Sequence, residues 1–155
     1  MKRSEAFDEY YRVAGYVQAY DGYFVAIKAW GVTVTSGAIA VGFSSHVSSS
    51  AVAQTVVFMF ALFLACAFWA TEVFFKLLQL AHIPRVATLE QALSTTEDDV
   101  PGPAYLGSFG NQRAIDRETR KWRRVLFWPH VMLPHAVFGT LSLILAIYAA
   151  MRLAL

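Results

Sequence analysis

The chain has 155 residues, of which 57% are hydrophobic and 15% charged, with a net charge of +2 and a single cysteine. Soluble domains are about 45–50% apolar, so the excess, with a mean hydropathy of +0.45, belongs to membrane spans and not to a large globular core. Cys66 alone excludes an intrachain disulfide and any metal site that needs two cysteines.

The N-terminal stretch MKRSEAFDEYYRVAG carries three acids and three bases with no apolar run at signal-peptide distance, so it does not read as a secretory signal. Residues 1–22 form an amphipathic N-terminal segment, helical from residue 4. Phe7, Tyr10, Tyr11, Ala14, Val17 and Tyr20 recur at three- and four-residue steps. Five of the seven tyrosines fall between Tyr10 and Tyr23, where an apolar ring with a wet hydroxyl suits the headgroup layer. This segment is expected to lie on the membrane or to extend the first span beyond it.

Residues 23–43 form the first span, with Lys28 its only charge. Gly31–Thr35, Ser36–Ala40 and Ala38–Gly42 are small-residue pairs that permit close helix approach, most simply to the second span. Residues 44–50, SSHVSSS, make the turn, and Ser50 is a natural N-cap. The second span, residues 51–74, holds about 21 uncharged residues from Ala51 to Thr71, enough at about 1.5 Å per residue to cross roughly 30 Å of hydrocarbon. It is expected to run on to about residue 82 and to stop before Pro84, because the residue preceding a proline disfavours the helical region.

Residues 83–124 read as a cytoplasmic connector. Thr88 and Gln91 have the spacing of a capping box for a short helix. TTEDDVPGPAYLGSFGN reads as loop, and RAIDRETRKWRR as a basic helix with Asp116 and Arg120 at i,i+4. Residues 125–151 form the third span, with Pro129 and Pro134 near its start. Gly139, Ser142, Ala146 and Ala149 share one face, where another helix is expected to pack.

Charge then orients the chain. Four of the 13 Lys and Arg precede the serine loop, eight lie from Lys76 to Arg124, one is Arg152, and the loop has none. The positive-inside rule puts the N-terminus and the connector in the cytoplasm and the C-terminus outside. The expectation is therefore an all-α integral membrane protein with three transmembrane helices, N-in and C-out, in a bacterial cytoplasmic membrane.

Asp21, Lys28 and Glu72 are the polar residues most open to a functional reading, all toward the cytoplasmic side and near the start of the third span. Lys28 and Glu72 are offset by about 9 Å along the hairpin, which a bent lysine stem narrows; Asp21 is the other candidate partner for Lys28. A charge within a span is costly and faces a partner or water. The simpler reading is a structural pair with snorkelling; the other is a polar relay or ion path.

His130 and His135 are weak cofactor candidates. HAVFG resembles the haem-binding spans of small b-type cytochromes, which implies axial ligation by His135. Five residues apart, however, the two histidines stand about 140° from one another around a helix, and a bis-histidine haem needs a second ligand at matching depth on another helix. No cofactor and no metal are expected. Arg117, Arg120, Lys121, Arg123 and Arg124 read as contacts to anionic headgroups or a partner, with no nucleic acid expected. No catalytic motif appears.

The leading expectation is a non-catalytic accessory subunit of a larger membrane complex, with lipids and other subunits or copies of itself as partners. The alternative is a homo-oligomeric channel or membrane-disrupting effector with Lys28, Thr33, Thr35 and Ser36 on the pore face. A haem-dependent electron carrier ranks third.

Overall fold

The computed structural model describes residues 2–94, 112, 114–116 and 121–153, and these are almost entirely helical. The elements are α1 (Arg3–Gly42), α2 (Ser45–Ser48), α3 (Ala51–Ser94), α4 (Lys121–Leu126) and α5 (Pro129–Met151). Three of them, α1, α3 and α5, are long and apolar enough to cross a membrane. At 40 and 44 residues, α1 and α3 are about 60 and 66 Å long, twice the thickness of the hydrocarbon layer.

The amphipathic N-terminal segment and the first span are one helix. No glycine or proline between them forces a break: Gly15 and Gly22 both lie within α1. The turn after α1 is tight, with Ser44 N–H donating to the Val41 carbonyl and Ser48 N–H to that of Ser44. Ser50 caps α3 through its Oγ, which accepts from Ala53 N–H at 3.3 Å.

The expected stop before Pro84 is overturned: α3 passes through Pro84 and ends at Ser94. Thr88 and Gln91, expected to open a new helix, are interior to it. A proline inside a helix removes one N–H and costs about 3 kcal/mol. Tertiary contacts outweigh that here. Arg85 pairs with Glu9 at 2.7 Å, Leu89 packs on Ala6 with both fully buried, and Arg3 donates to the Leu93 carbonyl at 2.8 Å. The connector loop read at residues 95–111 lies outside the described residues, as do Arg117 and Arg120.

The chain forms two compact units. The first comprises residues 1–24 and 73–125. Its two helical arms are joined by the Arg85–Glu9 pair, by Gln79, and by an aromatic group in which His82 lies between Tyr16 and Tyr20, with ring centroids at 6.0 and 5.7 Å. Burial pushes the His82 pKa below the ordinary value of 6.5.

The second unit comprises residues 25–72 and 126–155. Its apolar core is Ile39, Phe58, Ala61, Ala146 and Ala149, flanked by Ala38, Phe138 and Leu145. The small residues let backbones approach, as the sequence pattern implied. A side chain at Gly42 would collide with the Phe58 ring, and one at Gly31 would press on Phe68 and His135. On α5 the buried face is Val131, His135, Ser142, Ala146 and Ala149. At one end of this unit Gln54 donates to the Gly42 carbonyl at 3.1 Å and accepts from Arg152 at 3.2 Å, so an otherwise orphaned helix-end carbonyl is satisfied.

Candidate functional site: a buried Lys–Glu–His cluster

Within the second unit, Glu72 is 1% exposed and both of its carboxylate oxygens are occupied. Oε1 lies 3.2 Å from Lys28 Nζ and Oε2 lies 2.9 Å from His135 Nε2. The three residues come from three different helices, α1, α3 and α5. A carboxylate in an apolar phase is tolerable only when it is paired and hydrogen-bonded, and here each oxygen has a partner. Lys28 is about a third exposed and reaches Glu72 along its flexible stem, while His135 is 6% exposed.

Helix register accounts for the meeting of Glu72 and His135. Gln54 and Arg152 are hydrogen-bonded near the far ends of α3 and α5. Glu72 lies eighteen residues from Gln54, and His135 lies seventeen from Arg152. Antiparallel helices advance equally per residue, so a contact at one end fixes the other. The Glu72–His135 contact was not anticipated from sequence. The depth match was readable, but not the rotation that turns both side chains inward.

Asp21 does not join the cluster. It belongs to the first unit, where it accepts from Gln79 Nε2 at 2.8 Å; the same nitrogen donates to the Val17 carbonyl at 3.1 Å. Lys76 donates to Gln79 Oε1 at 2.6 Å and lies over the Phe24 ring. His130 is exposed beside the Trp128 ring. In the HAVFG segment, His135 faces the Glu72 carboxylate through Nε2. Among the described residues no three His, Cys, Asp or Glu side chains form a metal-holding group. In the basic run, Lys121 pairs with Asp116 at 3.1 Å, Arg123 lies against Trp122, and Arg124 is exposed.

Two further polar groups line up beyond the cluster. Thr35 is seven residues past Lys28 on α1, and Ser142 is seven past His135 on α5. Both are buried, and neither hydroxyl has a hydrogen-bond partner. Next comes the apolar core around Ile39, Phe58 and Ala146. The packed core interrupts the polar track through the unit.

A cavity of about 290 Å³ opens between α3 and α5. Leu62, Ala65, Trp69, Met132, Gly139 and Leu143 give it mostly apolar walls, and His135 reaches its surface. Trp69 is held by its indole N–H, which donates to the Leu126 carbonyl at 3.2 Å. Compared with protein-family models, curated proteins and solved structures, the chain matches none of them, so the functional reading rests on this geometry.

Proposed function

We propose that the protein is a non-catalytic accessory subunit of a membrane complex, inserted with its N-terminus and the residue 76–124 segment in the cytoplasm and its C-terminus outside. The observation that carries this reading is the length of α1 and α3. Each has about twenty residues beyond what a bilayer needs. That surplus is tied together by Glu9–Arg85, Asp21–Gln79 and Arg3 on the Leu93 carbonyl. A cross-tied pair of helical arms suits docking to neighbours more than enclosing a substrate.

The alternative, a homo-oligomeric channel, needs Lys28, Thr33, Thr35 and Ser36 on a common exposed face. That face is divided: Lys28 turns to Glu72 and Thr35 is buried, while Thr33 is exposed. The test is gentle solubilisation from native membranes followed by native mass spectrometry. A fixed-stoichiometry complex with at least one other membrane protein is the expected result. A lone monomer, or a pure homo-oligomer that conducts ions in liposomes, overturns the proposal.

A further inference from the structure

The basic run before α5 is a motif of the sequence that neither the buried cluster nor the paired arms use. Of its five cations, Lys121, Arg123 and Arg124 lie among the described residues. Lys121 is drawn to Asp116 at 3.1 Å. Among the described residues, neither Arg123 nor Arg124 has a carboxylate partner. Both are exposed on α4, as is Trp122, whose ring centroid lies 5.4 Å from the Arg123 guanidinium. Val125 is fully buried and marks the side of α4 that faces the protein. At about 100° per residue, Arg123 stands about 160° from Val125 and Arg124 about 100°, so the cationic face is turned outward.

Depth separates this face from an ordinary solvated pair of charges. Within the second unit, the carbonyl of Leu126, the last residue of α4, accepts from the Trp69 indole at 3.2 Å. Trp69 lies just before Thr71, where the uncharged run of the second span ends. With α3 and α5 in a bilayer, Leu126 is therefore held near the edge of the hydrocarbon. Arg124 and Arg123 precede it by less than one turn of the same helix, a rise of under about 5.4 Å. The polar layer on each side of a bilayer is about 5–7 Å thick, so both guanidiniums stand at headgroup level. The anions at that depth are lipid phosphates, which a guanidinium fork matches bidentately. An exposed tryptophan favours the same layer.

We propose that Trp122, Arg123 and Arg124 form a docking face for the headgroup of an anionic phospholipid. The proposal rests on the long helices spanning a membrane and stands apart from the accessory-subunit reading. The test is native mass spectrometry of the full-length protein in detergent, titrated with phosphatidylglycerol or with phosphatidylcholine of the same chains. A cation at an anionic surface is worth about fivefold in affinity, and two are worth about thirtyfold. The first phosphatidylglycerol is expected to bind tighter than phosphatidylcholine by that factor. Arg123→Gln with Arg124→Gln should bring the two lipids level. Arg123→Lys with Arg124→Lys keeps the charge and is expected to hold the preference within about threefold; its loss there too would show that the changes act through the fold and would overturn the proposal. Arg12→Gln, at an exposed arginine on α1, should change nothing, and an equal loss there marks net charge alone and overturns it. So does equal binding of the two lipids by the wild type, or a preference that survives the glutamine pair. Displacement of the lipid by glycerol 1-phosphate, the mark of a soluble-phosphate site, overturns it as well. The same holds if the glutamine pair sheds a co-purifying acidic protein while its lipid binding stays intact.

Discussion

At the scale of single residues, the energetics turn on Glu72. It neutralises Lys28 and holds His135. Glu72→Ala therefore removes two partnerships at once and leaves Lys28, about a third exposed, and the buried His135 without their carboxylate. Losing one member of a buried ion pair costs about 3 kcal/mol or more. That loss is the expected drop in unfolding free energy, read by denaturant titration in mixed micelles. The paired change Lys28→Met with Glu72→Leu takes away both charges and is expected to recover more than half of the deficit. If the double variant is as unstable as the sum of the singles, the pair does not act as a unit. The candidates Lys28 and Glu72 were legible because a charge inside an apolar run is conspicuous in any sequence. His135 was visible only as a weak haem candidate. A histidine gives no sign in sequence of whether its partner is a metal or a carboxylate on another helix.

At the scale of elements, the long helices show where local rules yield to tertiary contacts. Pro84 was a sound reason to end α3, and the spans themselves followed from hydropathy and length. The continuation to Ser94 depends on Arg85, Leu89 and Leu93 meeting Glu9, Ala6 and Arg3, partners about eighty residues distant in sequence. No local pattern encodes that. Glu9→Ala tests the account. It leaves Arg85, 5% exposed, without its carboxylate. Amide hydrogen exchange over residues 86–94 is expected to quicken by about a hundredfold, the equivalent of about 3 kcal/mol. Exchange over residues 51–72 should not change. His82 gives the same region a pH dependence. Its folded pKa is lowered by burial, so protonation favours the unfolded state. Above pH 6.5 His82 is neutral in both states and costs nothing. As pH falls below 6.5 the unfolded chain takes up the proton first, and stability declines until the folded value is reached. His82→Phe should remove this component: wild type and variant should run parallel above pH 6.5 and diverge below it, to the variant's advantage, in thermal unfolding scans.

At the scale of the whole molecule, helical class and three spanning helices were readable because hydrophobic length is a strong signal. The grouping into two units was not, since each long helix contributes to both. The proposed orientation rests on a different source, the distribution of charge. The serine loop has no Lys or Arg, whereas eight lie from Lys76 to Arg124. Translocating the connector would drag those cations across the membrane against the positive-inside bias. Ser49 is exposed at the turn and Ser4 is exposed near the other end of α1, so a cysteine at either site reports its side without disturbing the core. Cys66, exposed within the second span, is first replaced by alanine to give a silent background. In intact cells a membrane-impermeant maleimide is expected to label Ser49→Cys and to leave Ser4→Cys unlabelled until the membrane is permeabilised. The reverse pattern would invert the orientation and place the surplus lengths of α1 and α3 outside. Equal labelling of both would require two populations, which the one-sided charge distribution argues against. Adding lysines to the loop supplies the quantitative arm. If charge sets the orientation, two or three of them should shift a measurable share of chains to the opposite labelling pattern, since the bias they oppose is the same in kind.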